Sequence, residues 1–211
     1  MEILKDKLYN SNFFRKFRRK SLRKRAIKEL QPWAMNGFPL PPPHIVKQLY
    51  LHSLAKKHKL TTFIETGTYL GDMIFALEPY FKDIFSIEID EILYSKAKQR
   101  FKNSKNITLH HGDSGLVLQK VIAGIQEPSL IWLDGHYSGP GTGIGDMSTP
   151  IINELNAISE IGHSDSLILI DDIHCFNGTD GYPNLDELIH KVRDINFTIL
   201  ENRLNMLSLK K

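Results

Sequence analysis

Acidic side chains close or follow five consecutive predicted β-strands. They are Glu65, Glu88, Asp113, Asp134 and the pair Asp171–Asp172. The carboxyl ends of parallel strands meet at one edge of a sheet, which is where α/β proteins bind their ligands. Carboxylates gathered there can accept hydrogen bonds, hold a cation or move a proton. The spacing therefore predicts one acidic ligand site rather than scattered surface charges.

The last three of these carboxylates are predicted to converge. Asp134 ends the predicted fourth strand, and Asp171 and Asp172 end the predicted fifth. Neighbouring carboxylates repel one another unless a proton or a cation lies between them. Oxygen ligands suit Mg²⁺, Ca²⁺ or Mn²⁺ better than zinc. Asp134, Asp171 and Asp172 are therefore candidate ligands of a divalent metal, with Mg²⁺ as the candidate ion.

A turn bracketed by glycines follows the first predicted strand. Gly67 and Gly71 enclose it, and glycine lets a backbone approach a ligand closely or take positive φ. The G-x-G-x-x-G fingerprint of dinucleotide-binding folds is absent, because Tyr69 and Asp72 stand at its second and third glycine positions. Acids at both ends of the turn, Glu65 and Asp72, disfavour a pyrophosphate and suit a cationic or zwitterionic ligand.

Two further acids suit the rest of such a ligand. Glu88 lies about 20 residues after the turn, where a carboxylate accepts hydrogen bonds from ribose hydroxyls. Asp113 follows the third predicted strand and can accept from an exocyclic adenine amine, although Asp113 or Ser114 is equally suited to cap the next helix. Together the turn and the two acids fit a nucleoside that carries an amino-acid-like tail.

Short β-rich runs alternate with helical ones from residue 61 onward, which indicates a parallel sheet with helices on both faces. The predicted strands are Thr61–Glu65, Ile84–Glu88, Ile107–His111, Leu130–Asp134, Leu167–Asp171, Asn196–Leu200 and Leu204–Leu209. Helical patterns fill residues 71–81, 91–102, 114–124, 150–160 and 184–193, and a further helix starts near His44. Only Glu201, Asn202 and Arg203 separate the last two strands, which are therefore predicted to form an antiparallel hairpin.

The composition is that of one ordinary globular domain. The chain has 211 residues, of which 41% are hydrophobic and 24% charged, enough to bury a full core. The single cysteine, Cys175, excludes a disulfide scaffold and fits a reducing, cytoplasmic compartment. No apolar run approaches the roughly 20 residues of a membrane span, and the N-terminus lacks the apolar block of a secretory signal.

Charge divides the chain into a basic arm and an acidic body. Residues 1–30 hold eleven Lys or Arg residues against three acids, a net charge of +8, whereas the remainder carries −5. A basic segment with aromatic residues can bind an anionic membrane surface or an acidic partner, or remain solvated. Nucleic acid is disfavoured because no motif for it accompanies the segment. Five prolines within residues 31–43 predict a non-helical linker, and residues 44–211 form the predicted domain.

The turn, the two acids and the hairpin together resemble one known family. Glu65 through Gly71 resembles the first motif of class I S-adenosylmethionine-dependent methyltransferases. Ser86-Ile87-Glu88 resembles their ribose-binding motif, and Gly112-Asp113-Ser114 resembles their adenine motif. The resemblance implies a Rossmann-like α/β fold with a seven-stranded, mostly parallel sheet, and S-adenosylmethionine as cofactor. The cofactor-binding residues that it implies are Glu65, Gly67, Thr68, Gly71, Glu88, Asp113, Ser114 and Asp134.

The acidic cluster also resembles that of a subgroup. Asp134 and the pair Asp171–Asp172 are similar to the metal-binding acids of macrocin-type sugar O-methyltransferases. The Pro41–Lys47 and Leu133–Gly139 runs resemble a bacterial subgroup linked to surface-sugar biosynthesis. The resemblance implies methylation of a hydroxyl on a small-molecule or lipid-linked sugar acceptor. The candidate catalytic residues are Asp134, His136 and His174.

Two other functions stay open: a non-catalytic, cofactor-binding accessory protein of glycan assembly, and a hydroxylase on the same fold. A nucleic-acid base methyltransferase is disfavoured, because Leu133-Asp134-Gly135-His136 stands where an Asn/Asp-Pro-Pro-aromatic motif is expected. Five glycines between residues 135 and 145 predict a long loop, interpreted as a lid over the acceptor. The sequence leaves an oligomer possible and predicts a cytoplasmic protein, at most peripheral to the inner face of the membrane.

Overall fold

The computed structural model describes residues 12–135 and 149–211. The described strands are β1 (Thr62–Thr66), β2 (Asp83–Glu88), β3 (Ile107–His111), β4 (Ser129–Leu133), β5 (Leu167–Ile170), β6 (Thr198–Arg203) and β7 (Met206–Lys210). The described helices are α1 (Asn12–Met35), α2 (His44–His58), α3 (Asp72–Leu77), α4 (Glu91–Phe101), α5 (Ser114–Ala123), α6 (Ile151–Ile161) and α7 (Leu185–Asp194). Short 3₁₀ turns occupy Glu78–Tyr80 and Ile173–Cys175. None of the described helices combines the length and the apolar sequence that crossing a bilayer requires.

The strands form one seven-stranded sheet in the order β3-β2-β1-β4-β5-β7-β6. β1 to β5 pair in parallel, and β7 runs antiparallel to both of its neighbours, β5 and β6. The predicted fold, a mostly parallel Rossmann-like sheet that ends in an antiparallel hairpin, is therefore confirmed.

Two apolar cores lie on opposite faces of the sheet. Successive strand residues point to opposite faces, and Phe63 and Ile64 of β1 accordingly belong to different cores. The Phe63 core packs against α2, α3 and α4, and the Ile64 core packs against α5, α6 and α7. Helices thus cover both faces, as predicted, and only the strand ends are left to form a site.

The predicted bounds of the first five strands agree with the structure to within one residue, but those of the hairpin were wrong. Glu201–Arg203, predicted as the connection, belong to β6. The turn is Leu204–Asn205, with φ of 56° and 63°, because a two-residue hairpin turn that matches strand twist needs positive φ at both positions. Asn196, predicted to begin a strand, lies past the end of α7 with φ 62°, a left-handed conformation common at helix ends.

Helix α1 extends five residues into the predicted linker, so the prediction that all of residues 31–43 are non-helical was wrong. Pro32 lies inside the helix. A proline removes one backbone donor and crowds the preceding turn, but α1 ends only three residues later, so a single turn has to tolerate it. Trp33 Nε1 donates to the Pro39 carbonyl at 2.8 Å, and its ring meets Phe38 edge-on at 5.0 Å. These contacts fold the segment after α1 back onto the helix end.

Candidate active site

The order of the strands has its switch point between β1 and β4. The chain passes from β1 outward to β2 and β3, and β4 then lies on the other side of β1. Ligands of such sheets bind outside the strand ends at this point. Asp134 directly follows β4, and its backbone N–H donates to Thr66 Oγ1 at the end of β1, at 3.2 Å. The structure therefore places one predicted acid at the switch point itself.

Glycines let the strand ends and the turn pack closely. Gly67 has a φ of +82°, and a Cβ there would lie 2.5 Å from the Asp134 carbonyl oxygen. Gly71 has a φ of +74°, and a Cβ there would lie 2.6 Å from the Phe101 ring. Both positions require glycine. The neighbours that exclude a side chain are protein groups, whereas the sequence had suggested a close approach to a ligand.

Glu88 is held across the turn by two backbone donors. Tyr69 N–H donates to its Oε2 at 2.7 Å, and Asp90 N–H donates to its Oε1 at 2.9 Å. The carboxylate is therefore oriented at the end of β2, on the β2 side of the switch point. Each of its oxygens keeps lone-pair capacity for a further donor.

Glu65 is enclosed beneath the turn, with 1% of its surface exposed. Ser86 Oγ donates to Glu65 Oε2 at 2.5 Å, and the Ser86 and Thr68 hydroxyls lie 2.6 Å apart. Burial, opposed by the Ser86 hydrogen bond and assisted by the negative charge of Glu88, raises the pKa of Glu65 to about 8. Glu65 is therefore mainly protonated at neutral pH. Contact of Glu65 with a cationic or zwitterionic ligand stays a prediction.

Asp113 caps α5. Its Oδ1 accepts from the Gly115 N–H at 2.8 Å, so the helix-cap alternative noted from the sequence is confirmed. Ser114 is buried beside the switch point, where a Cβ on Gly135 would lie 3.0 Å from its Oγ. Contact of Asp113 or Ser114 with adenine stays a prediction.

Asp134, Asp171 and Asp172 converge, with one oxygen from each within 4.8 Å of the others. Lys47 of α2 reaches this acidic cluster. Its Nζ donates to Asp171 Oδ2 at 2.7 Å and to Asp172 Oδ1 at 3.0 Å, and the residue is only 8% exposed. A buried ammonium thus contacts two of the three carboxylates that were predicted to bind a metal.

Burial and mutual repulsion set the protonation of the cluster. Burial raises the pKa of Asp134 well above its usual range, the negative charge of Asp171 adds to the rise, and Lys47 opposes it. Burial also raises the pKa of Asp171, again against Lys47. Burial disfavours the Lys47 ammonium, but Asp171 and Asp172 outweigh that effect and raise its pKa. Lys47 therefore stays charged, while the Asp134 and Asp171 carboxyls hold a proton more readily than isolated ones.

His174 lies beside the cluster and is fixed by Asn205. The Asn205 side-chain N–H groups donate to His174 Nδ1 at 2.7 Å and to Asp172 Oδ1 at 2.9 Å. The Asn205 Oδ1 accepts from the backbone N–H of His174 at 3.0 Å. Because Nδ1 accepts, the neutral ring carries its proton on Nε2, which lies 3.6 Å from Cys175 Sγ. A role as general base requires the bond from Asn205 to open, and that role stays a prediction. His136 and most of the predicted lid lie outside the described residues.

Lys47 and Asn205 contact the acidic cluster, and the sequence pattern predicted neither contact. Lys47 precedes Leu51 and Ala55 by one and two helical turns, so it lies on the buried stripe of α2. A lysine on a core-facing stripe was the available signal. Asn205 gave none, because the sequence placed it inside a strand.

No protein-family model and no curated protein matches the chain in sequence. Solved structures match it in shape. The N-methyltransferase NodS from Bradyrhizobium japonicum, bound to S-adenosyl-L-homocysteine, has a TM-score of 0.57 at 14% identity, over 89% of this chain and 97% of that one. The S-adenosylhomocysteine-bound methyltransferase PaMTH1 from Podospora anserina has a TM-score of 0.54 at 15% identity, over 88% and 87%. The O-methyltransferase TomG from Streptomyces achromogenes has a TM-score of 0.50 at 15% identity, over 87% of each chain.

The chain has the class I methyltransferase fold. The three similar structures include an N- and an O-methyltransferase by name. Enzymes of this fold therefore methylate different acceptor atoms, and the fold alone does not determine the acceptor. In this class I fold, the β1 turn and Glu88 lie on the β2 side of the switch point. Asp134 lies at the switch point, and Lys47 lies on its β5 side, in contact with Asp171 and Asp172.

Proposed function

We propose that the protein is an S-adenosylmethionine-dependent methyltransferase that acts on a hydroxyl of a sugar or another small polar acceptor. The observation that carries the proposal is the half-buried Asp134 carboxyl at the switch point, within the electrostatic reach of Lys47. It supplies a proton-accepting group on one side of the switch point, and Glu88 supplies oriented acceptors on the other.

The residues around the β1 turn fit S-adenosylmethionine. When bound, this cofactor supplies a methyl group that its sulfonium makes electrophilic. The Glu88 oxygens, oriented by the Tyr69 and Asp90 N–H groups, suit the two hydroxyls of a ribose. Between Glu65 and Asp72 the turn contains no Lys or Arg, so no cation within it repels a positively charged ligand.

Asp134 is the group that we assign to proton removal. A hydroxyl is a poor nucleophile until its proton leaves, and a base works best when its pKa lies near the working pH. Burial moves the pKa of Asp134 in that direction. An Asp134 carboxylate oxygen accepts the proton of the acceptor hydroxyl as the hydroxyl oxygen becomes methylated. Asp134 must lose this proton before the next cycle. The nearby Lys47 ammonium assists that loss, because it stabilises the ionised carboxylate.

The three carboxylates do not fit a divalent metal while Lys47 is bonded to two of them. Three carboxylates are a suitable donor set for Mg²⁺. However, the Lys47 ammonium already lies 2.7 Å from Asp171 and 3.0 Å from Asp172. A divalent ion beside it would meet direct charge repulsion. We therefore assign no step to a metal and regard Lys47 as the cation of the cluster.

A sugar acceptor is supported by sequence resemblance. The Pro41–Lys47 run, similar to a bacterial subgroup linked to surface-sugar biosynthesis, contains the lysine that enters the acidic cluster. Carboxylates and an ammonium are also groups that hydrogen-bond to neighbouring hydroxyls. A polyhydroxylated acceptor therefore suits this side of the site better than an apolar one.

The first test is isothermal titration with S-adenosylhomocysteine, in Mg²⁺ and again after EDTA. We expect micromolar binding that is equal in both buffers, because Lys47 and not a metal compensates the carboxylates. An absence of binding in both buffers would contradict the assignment of the β1 turn.

The second test is incubation with S-adenosylmethionine and a panel of nucleotide sugars and glycolipids, followed by mass spectrometry. Gain of a methyl group by an acceptor supports the proposal. Binding of S-adenosylhomocysteine with no altered acceptor favours the non-catalytic accessory protein, and gain of an oxygen atom favours a hydroxylase.

A further inference from the structure

Four arginine side chains gather around one aromatic ring where α1, α3 and α4 meet. Their guanidinium carbons lie 4.5 to 5.9 Å from the centroid of the buried Phe75 ring. They belong to Arg15, Arg18, Arg19 and Arg100, which we name the arginine cluster. A cation is attracted to the face of an aromatic ring, but a single ring has only two faces. Phe75 therefore cannot compensate four positive charges.

Within residues 12–135 and 149–211, two carboxylates reach the arginine cluster. Glu78 accepts from Arg15 Nη2 at 2.9 and 2.8 Å, and it also contacts Arg19. Asp72 pairs with Arg100 at 2.8 Å, although the Asp72 side chain is 56% exposed. Four arginines and these two carboxylates leave a net charge of +2.

The excess positive charge cannot be removed by losing a proton. Burial and the positive charges of Arg15 and Arg100 together lower the pKa of Arg19 to about 10, yet the group stays ionised at neutral pH. Nε and Nη2 of Arg100 are buried and have no hydrogen-bond acceptor within residues 12–135 and 149–211. An unsatisfied buried donor destabilises the fold, and more so when it is charged.

Within residues 12–135 and 149–211, the arginine cluster is accessible from the side of α1. Arg18 is exposed and the Arg19 side chain is 24% exposed, although the Nη2 atom of Arg19 is itself buried. Arg100 lies deeper and connects the cluster to the β1 turn, because its Nη1 donates to the Leu70 carbonyl. The cluster therefore lies directly against the outside of that turn.

We propose that the arginine cluster binds a doubly charged oxyanion of the phosphate class. The planar guanidinium fork matches the oxygens of phosphate and bonds them in pairs. A phosphate dianion compensates the excess of two charges, whereas one carboxylate compensates only half of it. The phosphate belongs either to a soluble ion or ester or to the headgroup of an anionic lipid. The inference is independent of methyl transfer.

The test is isothermal titration of the full chain with inorganic phosphate and pyrophosphate at physiological ionic strength. Arg18→Gln is the informative variant, because Arg18 is exposed and its loss spares the packing of α1. Arg25→Gln is the matched control, since Arg25 is exposed on the same helix about 10 Å further along the axis. We expect saturable binding that Arg18→Gln weakens about tenfold and Arg25→Gln less than about twofold.

Two results overturn the proposal. One is the absence of saturable binding by either anion. The other is an equal loss of affinity in Arg18→Gln and Arg25→Gln, which indicates the general attraction of a basic helix rather than a site.

Vesicles of phosphatidylcholine, with and without phosphatidic acid, distinguish the two sources of the phosphate, because the phosphomonoester headgroup of phosphatidic acid can carry two negative charges. If binding to phosphatidic acid vesicles depends on Arg18 more than on Arg25 and is displaced by pyrophosphate, the ligand is a lipid headgroup. If vesicle binding is absent, or falls equally in both variants, while pyrophosphate binding depends on Arg18, the ligand is soluble. Both results support the site, and the same arm tests the membrane-surface prediction for residues 1–30.

Discussion

The acidic cluster and the arginine cluster both hold like charges close together, but they are compensated in different ways. Burial raises the pKa of Asp134 and Asp171, so the acidic cluster can reduce its own repulsion by taking up a proton. The arginine cluster cannot, because a guanidinium stays ionised at any working pH. Only an anion can therefore compensate the excess positive charge of the arginine cluster.

Each cluster also receives opposite charge from another part of the chain. Lys47 of α2 forms an ion pair with Asp171 of the acidic cluster, and Glu78, just after α3, forms one with Arg15 of the arginine cluster. A group whose charge can change is suited to proton transfer, whereas a group of fixed charge is suited to holding a ligand. Variants that exchange or remove these charges test the difference.

The largest effect is expected from Asp134→Asn. Asparagine keeps the size of the side chain but cannot accept a proton, so the methyl-transfer rate falls about 100-fold or more. Affinity for S-adenosylhomocysteine changes little, because the Glu88 side of the site is untouched. The measurements are kcat and a titration, with Asp165→Asn, an exposed residue before β5, as the control. An unchanged kcat in Asp134→Asn would remove the proton-transfer assignment.

Lys47→Met is expected to destabilise the fold by about 3 kcal/mol at about pH 8, because it leaves buried carboxylates without their cation. Without Lys47 the folded-state pKa values of the carboxyls rise further. A raised carboxyl pKa costs stability as pH rises above the unfolded value, so the loss is smaller at about pH 5. Urea unfolding at both pH values measures it, with exposed Lys56→Met as the control. A loss independent of pH contradicts the electrostatic explanation.

The same variant sharpens the question of the metal. Removal of the ammonium leaves Asp134, Asp171 and Asp172 as three converging oxygen donors. We therefore expect Mn²⁺ to stabilise Lys47→Met against urea and to leave the natural protein nearly unchanged. Equal stabilisation of both proteins by Mn²⁺ would show that Lys47 and a metal do not compete.

Glu65→Gln is expected to flatten the pH dependence of stability. The folded pKa of Glu65 is about 8, against 4.5 for an ordinary glutamate, so between these values the folded state holds a proton that the unfolded state has released. The free energy of unfolding therefore falls with rising pH, by at most about 1.4 kcal/mol per unit. A glutamine side chain does not titrate, so it adds no pH dependence to the free energy of unfolding. Unfolding across this pH range, with exposed Glu29→Gln as the control, should show a shallower slope for Glu65→Gln alone.

The smallest effect is expected from Glu78→Gln. It removes the carboxylate that pairs with buried Arg15 and costs about 1–2 kcal/mol of stability. Pyrophosphate should stabilise Glu78→Gln more than Lys47→Met, because loss of the carboxylate adds a third excess positive charge to the arginine cluster, whereas Lys47→Met leaves that cluster unchanged. Thermal unfolding with and without pyrophosphate measures this, and equal stabilisation of both variants contradicts the comparison.

The sequence by itself determined the sheet and the edge on which the acids lie. Apolar periodicity and turn residues are local signals, so β1 to β5 could be placed within one residue. The acids after β4 and β5 were expected to meet, because neighbouring parallel strands end at the same edge. The hairpin was misplaced, because its turn depends on positive φ at Leu204 and Asn205, and leucine gives no signal for it.

Only the tertiary structure decided what compensates each charged group. Lys47 lies 124 residues before Asp171, and nothing local links them until α2 packs on the sheet. Arg15 and Glu78 are 63 residues apart, so the sequence showed a basic arm but not that the arm folds back onto α3. The protonation of Glu65 likewise depends on burial, which is a property of the packed molecule. The sequence shows which residues are ionisable. Contacts between distant residues determine the partner of each charged group and how far it is removed from water.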